Sequence, residues 1–450
     1  MSDYKENEND LTNDRDLNEN NMTIFLSSPE DEEFEPDEEQ TSSGSKIRIA
    51  ILILILVAVA GFAKSLFFSK KLYKSYEVSA QSAKTLPEDA GYATDYGKLL
   101  SYNSEGISIY NEKAEIEWNA ALNMTNPKIT VNSGYAVVAD IGGRNILVVN
   151  HKSVPAAQIS LTMLNDILLT DISEQGEIAV LMQDEKGYDI QLINPFDKND
   201  SLKAEIKTYS KDDGYALSLA MSKDGSKLVT EYVKTENNEI KSTLTFYNFD
   251  KVGENSNADR IVGVFPFEDT IFPKLKFADN NTVCAYGDNK IVCFAAKKEP
   301  EILWEKKIAG KIERIAEDKN GFAILVDESG LLQANTGVVA SDSAIEDDYI
   351  DSDYLTGEAD SNSKIVLYSM HYSGGRAYSK EVDINPKGMS YNDGEIVLYS
   401  DTNCIIFDSN GNIKFKNKFN DGITSFTQAG GRTRYYAIVG KKLKVMILSE

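Results

Sequence analysis

From about residue 99 onward, hydrophobic positions fall into short runs of four to eight residues, rich in Val, Ile, Leu, Tyr and Phe, with turn residues between them. No helical period is sustained there, so the pattern predicts strands. The unit that recurs is a short strand, a polar turn ending in Gly or Asn, an apolar strand, a hairpin and a further strand. Val131-Asn-Ser-Gly134 precedes the apolar run 135–139, Ile172-Ser-Glu-Gln-Gly176 precedes 178–182, and Met221-Ser-Lys-Asp-Gly225 precedes 227–233. Further copies turn at Asn281, Gly321 and Gly394, with a looser one at Gly431. Successive anchors are 42, 49, 56, 40, 73 and 37 residues apart, most of them near the blade length of about 40–50 residues. The gap of 73 holds an acidic insertion, about 331–363, with eight acids between Asp342 and Asp360. Four-stranded repeats stacked on one another predict an all-β domain over 99–450, folded as a β-propeller. An extra hairpin, 99–103 and 107–110, brings the count to eight. The first unit lacks an obvious innermost strand and the last an outermost one. If those two merge the ring has seven blades; otherwise it has eight, and in both cases the termini should meet and close it.

The pattern upstream is different. Residues 49–63 carry no charge, and the apolar stretch running from Ile49 to Phe68 has about the length of a hydrocarbon core. It has no polar face, so it predicts a retained membrane helix within 46–69 rather than a buried soluble helix. A cleaved signal peptide would require a short basic leader, and here the leader would be long and acidic. Residues 70–98 read as a polar stalk. Residues 1–45 are Asn, Asp, Glu and Ser with little to bury, which predicts a disordered tail. Ile24, Phe25 and Phe34 could anchor a linear motif for a partner, against the plainer reading of a solvated segment.

Charge sharpens this division. The chain of 450 residues has a net charge of −24, and residues 1–45 hold 15 acids against two bases. Neither part offers a broad basic face, so nucleic acid is not an expected partner. Bases flanking the apolar stretch are Lys46 and Arg48 before it and Lys64, Lys70, Lys71 and Lys74 after it. Counted alone, they put the following domain in the cytoplasm.

Two kinds of repeat resemble known propellers. Glu115-Ile-Glu-Trp118 and Glu301-Ile-Leu-Trp304, with Ile413-Lys-Phe415 as a weaker copy, look like quinoprotein-type blade ends. Met221-Ser-Lys-Asp-Gly-Ser-Lys-Leu-Val229 looks like the strand–turn–strand of WD-like blades. A polar acidic tail, one apolar span and such units, with 99–118 as the most similar stretch, resemble an uncharacterised family of single-pass, membrane-anchored propeller proteins of Gram-positive anaerobes. That resemblance implies an exported C-terminal domain, against the count of bases.

Candidate chemistry is sparse. Phosphate-loop, nucleophile-elbow and zinc-helix motifs are missing from the sequence. Ser43-Gly-Ser-Lys46 and Ser361-Asn-Ser-Lys364 match Ser-x-x-Lys but fall in polar loops. His151 and His371 read as surface turn residues rather than general bases. Asp351 and Asp353 lack the remaining ligands of a calcium loop. No catalytic, cofactor or metal residue is therefore expected. Counting outward from an Asp288-Asn289 turn sets Cys284 opposite Cys293 as a non-hydrogen-bonded pair, about 4.5 Å between Cα atoms. This predicts either a disulfide, which would mark an oxidising compartment, or two small buried side chains. Tyr102, Tyr110, Tyr135, Tyr188, Tyr368 and Tyr399 lie in or beside strands and read as packing between blades rather than a ligand rim. The expected function is non-enzymatic binding or scaffolding at the cell envelope, for a protein, peptide or glycan. The alternative is an envelope hydrolase or quinone-type enzyme with its residues at the channel mouth.

Overall fold

A computed structural model describes residues 51–55, 72–153, 155–250, 253, 259–329 and 364–450. The chain divides into two units, residues 1–64 and 65–450. In the first, residues 51–55 are helical. Among the described residues no helix is long and apolar enough to cross a membrane. Most of the expected span lies outside them, as do Ile24, Phe25, Phe34, both Ser-x-x-Lys serines and the 331–363 insertion.

The second unit is built from eight antiparallel sheets of four strands each. Blade 1 comprises Gly91–Asp95, Lys98–Tyr102, Gly106–Tyr110 and Ile116–Ala121. The innermost strands of blades 2 to 7 are Pro127–Asn132, Ile167–Ile172, Tyr215–Met221, Lys274–Phe277, Lys311–Asp318 and Gly388–Asn392. Blade 8 takes Ile423–Gln428, Arg434–Val439 and Lys442–Ser449 from the C-terminus, and its outermost strand, β1, is Ser75–Gln81. The ring is thus eight-bladed, and it is closed by pairing from Ser75 opposite Ser449 to Gln81 opposite Lys444. Two strands expected to be missing come from the stretch read as a stalk: Gly91–Asp95 completes blade 1 and β1 completes blade 8. A free connector over 70–98 is therefore corrected. β1 escapes a pattern reading because most of its residues are exposed and its partner is far away in sequence.

Each blade is apolar on both faces of its second and third strands, as Val137, Val138, Leu147 and Val148 show, all essentially without exposure. Neighbouring blades bury those faces against one another in a series of clusters. The turn anchors read from the sequence connect first and second strands, where blades are latched together. Asp95 of blade 1 accepts from Gly134 N–H of blade 2 at 2.5 Å. Asp171 accepts from Met221 N–H at 2.8 Å, and Asp318 from Gly394 N–H at 3.0 Å. Asn132 donates to the Ile172 carbonyl at 2.9 Å. Outer strands dock too. The Trp304 ring lies against Gly374, whose φ of +87° and absent Cβ let the turn approach, and its indole N–H reaches the Tyr372 carbonyl at 2.8 Å. Tyr378 sits in the same way on Gly411. The Trp-ended repeat is thus a blade-to-blade contact.

Candidate functional site

Alternation of strand direction assigns every connection to one of two faces. First-to-second and third-to-fourth turns share one face, here called the turn face. Second-to-third hairpins and the links between blades share the other, the loop face. β1 begins beside Ser449, so residues 72–74 join the ring on the turn face. There Tyr73 N–H donates to the Lys414 carbonyl at 2.8 Å and bridges to Phe415 of blade 7. Lys414, almost wholly buried, is held by Glu395, the Arg432 carbonyl and the Tyr435 hydroxyl. Burial and then Glu395 push the Tyr435 hydroxyl far above its ordinary value.

The loop face carries a different chemistry. Its described connections, from 82–90 round to 440–441, hold 15 acids against 7 bases, a net −8. The turn-face connections hold 14 against 10, a net −4. The 331–363 insertion, with eight acids and no base, leaves and rejoins blade 6 between Asp327 and Ile365, on the loop-face side. Its ends are pinned by Glu328 N–H to the Lys364 carbonyl at 2.9 Å, and Glu328 also takes the Tyr368 hydroxyl and Lys364 Nζ. Within this acidic rim, large apolar side chains are exposed in one sector. Leu164 (81%) precedes the first strand of blade 3, Tyr209 ends that blade, and Tyr215 (68%) and Leu217 start blade 4. Ile240 extends the sector on the ten-residue strands Lys227–Glu236 and Glu239–Asn248, the longest of the propeller. No single residue signals this sector in the sequence; it forms because the ring order brings distant loops together.

Residues singled out from the sequence separate into packing and surface. Tyr110 and Tyr188 are buried, and Tyr102, Tyr135, Tyr368 and Tyr399 are half-buried between blades. His371 is exposed at a hairpin. His151 differs from expectation: it is fully buried, with Nε2 3.1 Å from Asp95 Oδ2 and its carbonyl bonded by Lys98 Nζ at 3.0 Å. Lys98 also pairs with Glu117 at 2.9 Å. A turn residue becomes a core residue here because the Trp118 strand of blade 1 covers it, beside Pro155 and Ala156. Cys284 and Cys293 stand opposite each other, 4.1 Å apart at Cα, both without exposure and joined through their sulfurs. Cys404 is a buried free thiol, its pKa pushed well up by desolvation. Among the described residues, no group of three or more His, Cys, Asp or Glu is arranged to hold a metal.

The family model described as "Family of unknown function (DUF5711)" matches residues 69–448. The chain belongs to that family. The matched span contains β1 and all of the ring but Ser449, the last residue of its final strand. No curated protein matches in sequence. Among solved structures, Sqt1 from Saccharomyces cerevisiae is similar with a TM-score of 0.51 at 9% identity, over 84% of this chain and 99% of that one. BamB from Moraxella catarrhalis gives 0.47 at 10% identity, over 83% and 100%. At such identities the Sqt1 likeness bears on the fold alone, and it agrees with the propeller drawn from the strand pairing.

Proposed function

We propose that this member of the family is a non-enzymatic binding or scaffolding propeller, tethered to a membrane through the apolar stretch 49–68, whose loop face receives a partner bearing basic and apolar groups. The observation that carries the reading is the exposed sector of Leu164, Tyr209, Tyr215, Leu217 and Ile240 inside an acidic rim. Apolar anchors within a rim of net negative charge suit a protein or peptide partner, since the anchors supply affinity and the rim steers approach. Residues 72–74 join the ring on the other face, which leaves the loop face for that partner.

In the same reading the propeller lies outside the cytoplasm and the acidic tail inside. The facing Cys284 and Cys293 support it, because a disulfide persists where cytosolic reductants are absent. The lysines at 64, 70, 71 and 74 argue the other way. Protease added to intact cells stripped of their wall decides between the two. The expected outcome is digestion of 75–450 with an epitope at residue 5 spared. The reverse pattern moves the binding face to the cytoplasm.

A further inference from the structure

The link 268–273 joins the outer strand of blade 4, Ile261–Phe267, to the inner strand of blade 5, and it is tied down from two sides. On the blade 5 side, Asp288 N–H donates to the Ile271 carbonyl at 3.1 Å, and Ile271 N–H to Asp288 Oδ1 at 3.3 Å. Thr270 Oγ1 bonds Asn289 Oδ1 at 2.6 Å, Asn289 Nδ2 bonds the Asp269 carbonyl at 2.6 Å, and Lys290 pairs with Asp269 at 2.9 Å. The blade 4 side is held by one carboxyl group. Glu231, on the second strand of blade 4, is fully buried, and its Oε1 accepts from Phe272 N–H at 2.5 Å. Ser218 Oγ bonds the Phe272 carbonyl at 2.7 Å and lies 3.3 Å from Glu231 Oε2. The Phe267 and Phe272 rings beside it are both buried and pack edge to face, 4.9 Å apart.

We propose that the 268–273 link is a proton-controlled latch, seated while Glu231 is protonated and released when Glu231 ionises. The groups facing the carboxyl are few. Ser218, Ser242 and Phe272 N–H stabilise the anion. Asp288 opposes it, and Lys290, which holds the link through Asp269, has its charge matched by Asp269 and Glu305. Burial is the largest influence and pushes Glu231 up to about 6 from 4.5. A raised carboxyl favours the seated state when protonated. That contribution is fully present below about pH 4.5 and is lost as pH rises through about 6. Above that pH a charged carboxylate sits in a dry site, and lifting the link returns it to water. The link lies on the loop face, but the latch does not depend on what that face binds.

Hydrogen exchange of 268–273 in the full-length chain, held in detergent and corrected for the intrinsic pH dependence of exchange, tests this. Protection should fall about tenfold between pH 5 and pH 7.5. In Glu231→Gln, which keeps the shape and cannot ionise, it should not change with pH. Asp288→Asn should shift the wild-type transition to lower pH, and it serves if the first variant fails to fold. Wild-type protection that does not vary with pH, a Glu231→Gln variant that keeps the tenfold change, or an Asp288→Asn transition at the wild-type pH would each overturn the latch.

Discussion

Trp304 shows how single residues carry the blade order. Its ring fills the space above Gly374 and its N–H satisfies the Tyr372 carbonyl, so one side chain joins blade 5 to blade 6 by packing and by a hydrogen bond. Trp304→Ala should cost about 2–3 kcal/mol in chemical denaturation, below the loss for a fully buried aromatic because the ring is only partly buried. Trp304→Phe, which keeps most of the packing, should lose only about 1 kcal/mol for the missing bond. Equal effects from the two variants would mean that the ring does not pack as described. The repeat of Trp118 and Trp304 was readable from the sequence as a periodicity, although its role was not. The partners of the Trp304 ring are a glycine and a carbonyl on the next blade, and neither is marked by local pattern. His151 illustrates the opposite failure. A histidine after a strand end has the local signature of a surface turn, and only the covering Trp118 strand, more than thirty residues upstream, makes it a core residue.

At the scale of elements, the hairpins and their anchoring turns were legible because each buries an apolar second and third strand beside a turn of fixed chemistry. The strands that went unread are the edge ones. Gly91–Asp95 is half-buried throughout, and its Tyr96-Gly97 turn falls 37 residues before Gly134, inside the spacing of the other anchors. β1 is mostly exposed and polar, so its strand character comes from the open edge of Lys442–Ser449. The closure explains the importance of β1: without it, the third strand of blade 8 presents unpaired N–H and C=O groups and the Lys414 site loses Tyr73. A chain lacking residues 72–81 should unfold at markedly lower temperature and self-associate, as light scattering during a thermal scan would report. A chain shortened only to residue 71 should keep the melting behaviour of the ring. If both shortened chains melt alike, β1 does not close the propeller.

For the whole molecule, the net charge of −24 acquires a direction. One part belongs to the tail, and of the ring's connections those of the loop face are twice as negative as those of the turn face. The fold brings exposed Leu164, Tyr215 and Ile240, from three separate stretches of sequence, onto that same face. The most direct test of this face as the binding surface is photo-crosslinking in living cells, with a photoreactive residue placed singly on each side of the ring. Positions 164 and 215 report on the loop face; positions 198 and 410, exposed in third-to-fourth-strand turns, report on the other. The account predicts a discrete adduct from 164 and 215 that weakens at high salt, and none from 198 and 410. Adducts from the turn-face positions alone, or from all four alike, would contradict it.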